Sequence, residues 1–491
     1  MKENPLIRYI MMKMQYPTAD EVFAIFRQLN QIPRPSHHEE RVADFLCQFA
    51  SRLGLEYDRD EHNCVVIRKP ATPGHEQAEP IVLLNHMDMV CVGMNDPLND
   101  PIQPVVEDGW MRAKGSSLGA DNGVGLSMAL AVLQDDSIVH GPLEVMTTTN
   151  EEDGMTGAAG LSTDFLKGRK VINLDSEDYD TITVGAAGAC LQLHRIPYVP
   201  EPAPGGKHRW YRITISGGRG GHSGVDINKG RASAVVLAWA LLASVYNDYD
   251  FQLSSIRVGE ANASIASSAE IVVCVPSGEA AEFVKAQEES LNEWIRSEYG
   301  ENDPDVHCHI EKCERRDTVI PMSTFEALLT ALEATPQGVV KMSEVMEGTV
   351  ETSNNVGVIN TLPDHLLVST HTRSFVDDDM TRLAKEIAGN FAAAGATSET
   401  IMTAPAWQEN TESAFLALTS KTFGDVLGWE PRQVAMHFVL EAGYFKQKYP
   451  GIEIACIGPR ILEPHSTSER LEMHTVEDIW KVLVELLKRL A

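Results

Sequence analysis

At 491 residues the chain is longer than a single hydrophobic core supports, so two or more domains are expected. Its 41 Lys and Arg against 70 Asp and Glu leave a net charge of −29, which excludes the basic face that nucleic acids require. No run approaches 18 consecutive apolar residues, so no membrane partner or span is expected.

The start shows no long apolar segment followed by a small-residue cleavage site, so no secretory leader is expected, and Met1, Met11, Met12 and Met14 are all candidate starts. Eight cysteines (47, 64, 91, 190, 274, 308, 313, 456) lack framework spacing and read as reduced thiols of a cytoplasmic protein.

Two amphipathic helices are predicted first. Thr18 and Glu21 form a capping-box pattern ahead of Val22, Ile25, Phe26 and Leu29. Ser36 and Glu39 repeat it ahead of Val42, Phe45, Leu46, Phe49 and Leu53, with Gly54 as the stop. Continuous apolar runs follow at Ile81–Leu84, Leu143–Met146 and Val171–Leu174, alternating with helical segments such as Val124–Leu133. This pattern predicts an α/β domain with a mostly parallel sheet covered on both faces. Each run ends in polar residues, and open α/β sheets bind ligands beyond the carboxyl ends of their strands.

After about residue 187 the pattern changes. Strands are predicted at Trp210–Ile215, Ala269–Val275, Val306–Ile310 and Leu366–Phe375, with helices at Arg231–Leu242, Glu279–Ile295 and Thr381–Ala394. An α+β insertion at 188–404 is therefore expected between a first part of the α/β domain at 1–187 and a second at 405–491. The second part carries a helix at Ala414–Leu427, a buried strand at Ile452–Ile457 and a closing helix at Val476–Leu490.

Five polar segments carry the chemistry: His86-Met-Asp88, Gly119-Ala-Asp121-Asn-Gly123, Asn150-Glu151-Glu152-Asp-Gly154, Asn173-Leu-Asp175-Ser-Glu177 and Pro464-His465-Ser466. Imidazole and carboxylate are natural ligands of zinc, cobalt and manganese. Side chains alternate along a strand, so His86 and Asp88 face one side, one to bind a metal and the other to orient it. Burying so many carboxylates without cations would carry a large desolvation penalty.

This series resembles the co-catalytic dizinc clan of aminopeptidases and carboxypeptidases that includes aminoacylases and dipeptidases. Within the clan the chain is most similar to the aminoacyl-histidine dipeptidases. Ile32-Pro-Arg-Pro-Ser36-His-His-Glu-Glu40, Gly220-Gly-His222-Ser-Gly224 and Leu440-Glu-Ala-Gly443 add to the likeness. The resemblance implies two Zn2+ per chain, with Co2+ or Mn2+ as substitutes. His86 and Asp175 would hold one ion, Glu152 and His465 the other, with Asp121 bridging them next to a cis peptide bond to Asn122. Glu151 would be the general acid/base and Asp88 the residue that orients His86. The insertion would be a lid.

In that insertion the resemblance implies His222 as a donor to the oxyanion, with Asn262 contacting the same group or the substrate backbone. Arg373, on an alternating strand, suits bidentate capture of a substrate C-terminal carboxylate, and Gly443 would add a backbone contact to it. His307-Cys308-His309 with Cys313 is a decoy. On a strand the two histidines face away from Cys308, so four convergent ligands are not expected.

The resemblance thus implies a metal-dependent hydrolase of unblocked dipeptides, of the Xaa-His (carnosine-like) type, and a homodimer is expected because symmetric dimers are the commonest assembly. An aminoacylase or tripeptidase is the nearest alternative, and a non-catalytic peptide-binding relative a more distant one.

Overall fold

A computed structural model describes residues 16–491; the candidate starts and the leader reading lie outside the described residues. Two compact units emerge. One comprises the described residues up to Gly185 together with Glu409–Ala435 and Tyr444–Ala491; the other comprises Ala186–Gln408 and Met436–Gly443. The short segment Met436–Gly443, expected with the closing part of the first domain, packs with the second unit.

The first unit is built on an eight-stranded sheet in the order 56–59, 65–69, 143–148, 81–86, 170–173, 453–456, 181–186, 432–436. Its centre is parallel: Ile81–His86 pairs with Leu143–Thr148 on one side and Lys170–Asn173 on the other, and Glu453–Cys456 joins beyond. Ile81–His86 and Leu143–Thr148 are buried along their whole length, as strands covered on both faces must be.

The outer pairings that involve Glu56–Arg59, Val65–Lys69 and Thr181–Ala186 are antiparallel, so the expected parallel arrangement holds at the centre. The reason at one edge is local. Asp60 closes a tight turn by accepting the Cys64 N–H, and a short turn can only return the chain antiparallel.

The helix Ala120–Gln134 is apolar all round and almost wholly buried, whereas Asp20–Leu29, Glu40–Leu53 and Met473–Leu490 each bury one stripe. Neither predicted capping box forms. Thr18 bonds the Asp20 side chain, and neither Ala19 nor Glu39 at the helix starts makes a side-chain cap. Gly54 does end its helix in the left-handed conformation, φ +68°.

The second unit holds a nine-stranded sheet whose pairings are antiparallel throughout. Alternation sorts its faces. Tyr211, Ile213, Ile215, Ile271, Val273 and Val275 join Leu237, Leu241, Phe283 and Phe325 of its helices in one large core. On the opposite face Trp210, Val272 and Cys274 form a smaller cluster with Val319. In the edge strand His307–Lys312, His307 and His309 are exposed and Cys308 is buried, as the decoy reading expected.

Among the described residues no helix is long and apolar enough to cross a membrane.

Candidate metal centre and second polar cluster

His86 is the last residue of its strand, and strand geometry leaves its ring fully buried beyond the sheet's carboxyl end. Asp88 follows, also fully buried, with Oδ1 3.4 Å from His86 Nδ1. Asp88 accepts three donors: Ser36 Oγ at 2.8 Å, the Glu151 N–H at 3.0 Å and the Glu152 N–H at 3.2 Å. One carboxylate thus sits beside the histidine ring and fixes the backbone of the Glu151–Glu152 pair.

Asp121 stands at the start of the buried helix, where the Asp121–Asn122 peptide is cis, as expected. Its two oxygens face different histidines: Oδ1 lies 3.2 Å from His86 Nε2, and Oδ2 lies 3.1 Å from His465 Nε2. Asp175 Oδ1 is 3.3 Å from His86 Nε2, and Glu152 Oε2 is 3.0 Å from His465 Nε2. The structure thus brings His86 together with Asp175, and His465 together with Glu152, on either side of Asp121.

The donor set fits divalent cations. Tetrahedral arms of about 2.0–2.1 Å to nitrogen and oxygen subtend ligand–ligand edges of roughly 3.3 Å, close to the separations found. Glu152 Oε1 is buried without a hydrogen-bond partner, an orphan that a cation would satisfy.

Electrostatics point the same way. Burial disfavours charge on His86, but Asp175, Asp121 and Asp88 outweigh it and raise its pKa well above the ordinary range. Hydrogen bonds to Asp121 and Glu152 push His465 up to about 11. Burial raises Asp175 to about 6. This is a cluster of acids with too little positive charge of its own.

One acid in the cluster was quoted in a sequence motif but given no role. Glu177, two residues past Asp175, gathers with Asp121 and His465 into a second potential ligand group beside His86–Asp121–Asp175. Burial, then the charges of Asp121 and Asp175, push it up to about 8. Its position two residues from a proposed ligand was the only sequence signal.

The residues expected to bind substrate lie in the second unit. His222 Nδ1 accepts the N–H groups of Gly224 at 3.2 Å and Val225 at 3.1 Å. Those donors fix the tautomer, leaving the proton on Nε2 of a neutral ring whose pKa is lowered by burial and by Arg373. Arg373 is 3% exposed, stands across from Ser353 in the sheet, and has no ion-pair partner among the described residues. Burial lowers it to about 10, so it stays charged.

His371 on the same face of its strand, and His437, bonded to Ser353 Oγ at 2.7 Å, are held neutral: burial and Arg373 push both down to about 3. The pair was missed in the sequence, where nothing distinguishes them from other histidines.

Asn262 sits in a turn, half-buried. Gly443 donates its N–H to Leu440 O at 3.1 Å, and an added Cβ would lie 2.3 Å from Pro405 O. Glycine at this position serves close packing, and its amide is already engaged.

The chain is 34% identical over 470 residues to the cytosol non-specific dipeptidase of Escherichia coli, covering 95% of this chain and 96% of that one. The crystal structure of aminoacylhistidine dipeptidase from Vibrio alginolyticus superposes with a TM-score of 0.90 at 33% identity, over 97% of this chain and 99% of that one. A Staphylococcus aureus tripeptidase shares the fold, with a TM-score of 0.57 at 17% identity over 96% and 98% of the two chains. The profile of peptidase family M20/M25/M40 matches residues 82–489, a span that contains every residue of the metal cluster, and the chain belongs to that family.

Proposed function

We propose that this protein is a dizinc dipeptidase that hydrolyses unblocked dipeptides, with histidine favoured on the C-terminal side, and that it works in the cytoplasm as a homodimer. The observation that carries the reading is the placement of the two Asp121 oxygens, 3.2 Å and 3.1 Å from two different histidines. The name of the 34% identical relative supports the dipeptide substrate, and that of the Vibrio protein supports the Xaa-His preference.

His86, Asp175, Asp121, Glu152 and His465 would hold the ions, which when bound lower the pKa of water and polarise the scissile carbonyl. Asp88 holds the His86 ring in one orientation and strengthens its basicity. Glu151 accepts the proton of the attacking water and delivers it to the leaving amine. His222 donates from Nε2 to the oxyanion, assisted by Asn262. Arg373 grips the substrate carboxylate, which favours short peptides because only the terminal residue carries that group.

Rates on Xaa-His dipeptides, tripeptides and N-acyl amino acids test the substrate. Dipeptides should be cleaved fastest; cleavage of N-acyl amino acids without cleavage of dipeptides would make the chain an aminoacylase.

Arg373→Ala should raise KM for free dipeptides by about thirtyfold or more, the equivalent of at least 2 kcal/mol for a lost buried charge contact, with kcat changed less. C-terminally amidated dipeptides are the control. An equal loss on them would rule out carboxylate capture.

A further inference from the structure

Two fully buried, oppositely charged side chains lie just behind the metal cluster, and neither is among its ligands. Arg34 is 0% exposed. Its Nη1 donates to the carbonyls of Met87 at 3.1 Å and Asp88 at 2.9 Å, and its Nη2 donates to Gly119 O at 2.6 Å. Glu469 is 2% exposed. Its Oε2 accepts the N–H groups of Leu118 at 2.7 Å and Gly119 at 3.0 Å, and its Oε1 accepts that of Ala120 at 2.8 Å.

Both grip the turn that delivers Asp121, one by its carbonyl and the other by its amides. The glycines of Gly119-Ala-Asp121-Asn-Gly123 make room for this grip. A Cβ at Gly119 would lie 2.7 Å from Arg34 Nη2, and one at Gly123 would lie 2.5 Å from the same atom.

Each residue ties that turn to a different histidine. Arg34 binds the carbonyls that directly follow His86. Glu469 belongs to the loop that carries His465, four residues upstream, and its own N–H donates to Ser466 O at 3.2 Å. His86, Asp121 and His465 are far apart in sequence, yet their facing atoms must be held to a few tenths of an ångström to share ions.

We propose that Arg34 and Glu469 are positioning residues that set the two halves of the metal centre separately: Arg34 fixes Asp121 against His86, and Glu469 fixes Asp121 against His465. The inference rests on the dinuclear reading above and adds to it which buried contact governs which ion.

The test is Zn2+ affinity of the full chain, measured by competition with a chromophoric chelator, for Glu469→Gln and Arg34→Lys alone and in His86→Ala and His465→Ala backgrounds. Glu469→Gln keeps the shape of the side chain but loses one acceptor oxygen. It should weaken one ion by about ten- to hundredfold, the usual effect of losing a contact that orients a ligand. The loss should persist in the His86→Ala background and disappear in the His465→Ala background, where that ion is already gone. Arg34→Lys keeps the charge but cannot span three carbonyls, and it should show the mirror pattern; it carries the test alone if Glu469→Gln does not fold.

A residue that only stabilises the fold would lower Tm and weaken both ions together. Equal weakening of both ions, no weakening, or the same effect in both backgrounds overturns the clamp and leaves the dinuclear centre standing. A wild-type chain that takes up no divalent ion overturns the centre itself and the clamp with it.

Discussion

Glu151→Gln is expected to lower kcat by about 10²- to 10⁴-fold while leaving the metal content of the protein unchanged. The substitution is isosteric, and two contacts that anchor this segment are made by the main chain: the Glu151 N–H donates to Asp88 Oδ1 at 3.0 Å, and the neighbouring Glu152 N–H donates to Asp88 Oδ2 at 3.2 Å. Glu152, which faces His465, therefore keeps its place when the Glu151 side chain loses its charge. What is lost is a group that can take and return a proton. Steady-state kinetics with metal analysis on the same samples check both halves. Unchanged turnover removes Glu151 from proton transfer, and loss of metal together with activity makes it a ligand instead.

Removal of the metals should have a still larger effect. Exhaustive chelation is expected to bring dipeptide hydrolysis to the background rate, with recovery on adding Zn2+, Co2+ or Mn2+. Stability should move as well. With the ions gone, Asp121, Asp175, Glu152 and Glu177 share the charge of two histidines, and burial already pushes Asp175 and Glu177 up to about 6 and about 8. Ions that bind only the folded chain stabilise it by about 2.7 kcal/mol at a hundredfold excess over Kd. Tm of the chelated protein should therefore rise on titration with Zn2+. A chelated protein that keeps its activity contradicts a metal role in the reaction.

Much of this was legible in the sequence because the strand ends are written as apolar runs followed by imidazole and carboxylate side chains. Ile81–Leu84 predicted a buried strand, and the structure carries that strand two residues further, to His86, which bears the ring. The helix Ala414–Leu427 has its predicted limits because Ser413 caps its start and left-handed Gly428 ends it.

What stayed hidden was long-range. Ser36 and Glu39 match a capping box, but in the fold Ser36 donates to Asp88 and Glu39 accepts the Asn150 N–H at 2.9 Å. A local pattern cannot reveal that its members are used by residues far along the chain. Arg34 and Glu469 were hidden for the same reason, since a single sequence does not show which charged residues will be buried. His371 and His437 gain meaning only from the sheet register and the fold that set them beside Arg373 and Ser353. The close packing of Gly443 against Pro405 was hidden as well, because a glycine needed for packing and one needed for its amide look identical in sequence.

The two-ion cage is tested most directly by a crystal structure of the Zn2+-loaded protein recorded across the zinc absorption edge. Two anomalous peaks are predicted, each about 2.0–2.2 Å from its ligand atoms. One should lie at His86 Nε2 and Asp175, the other at His465 Nε2 and Glu152, with one Asp121 oxygen on each. A single peak, or peaks away from Asp121, would contradict the account.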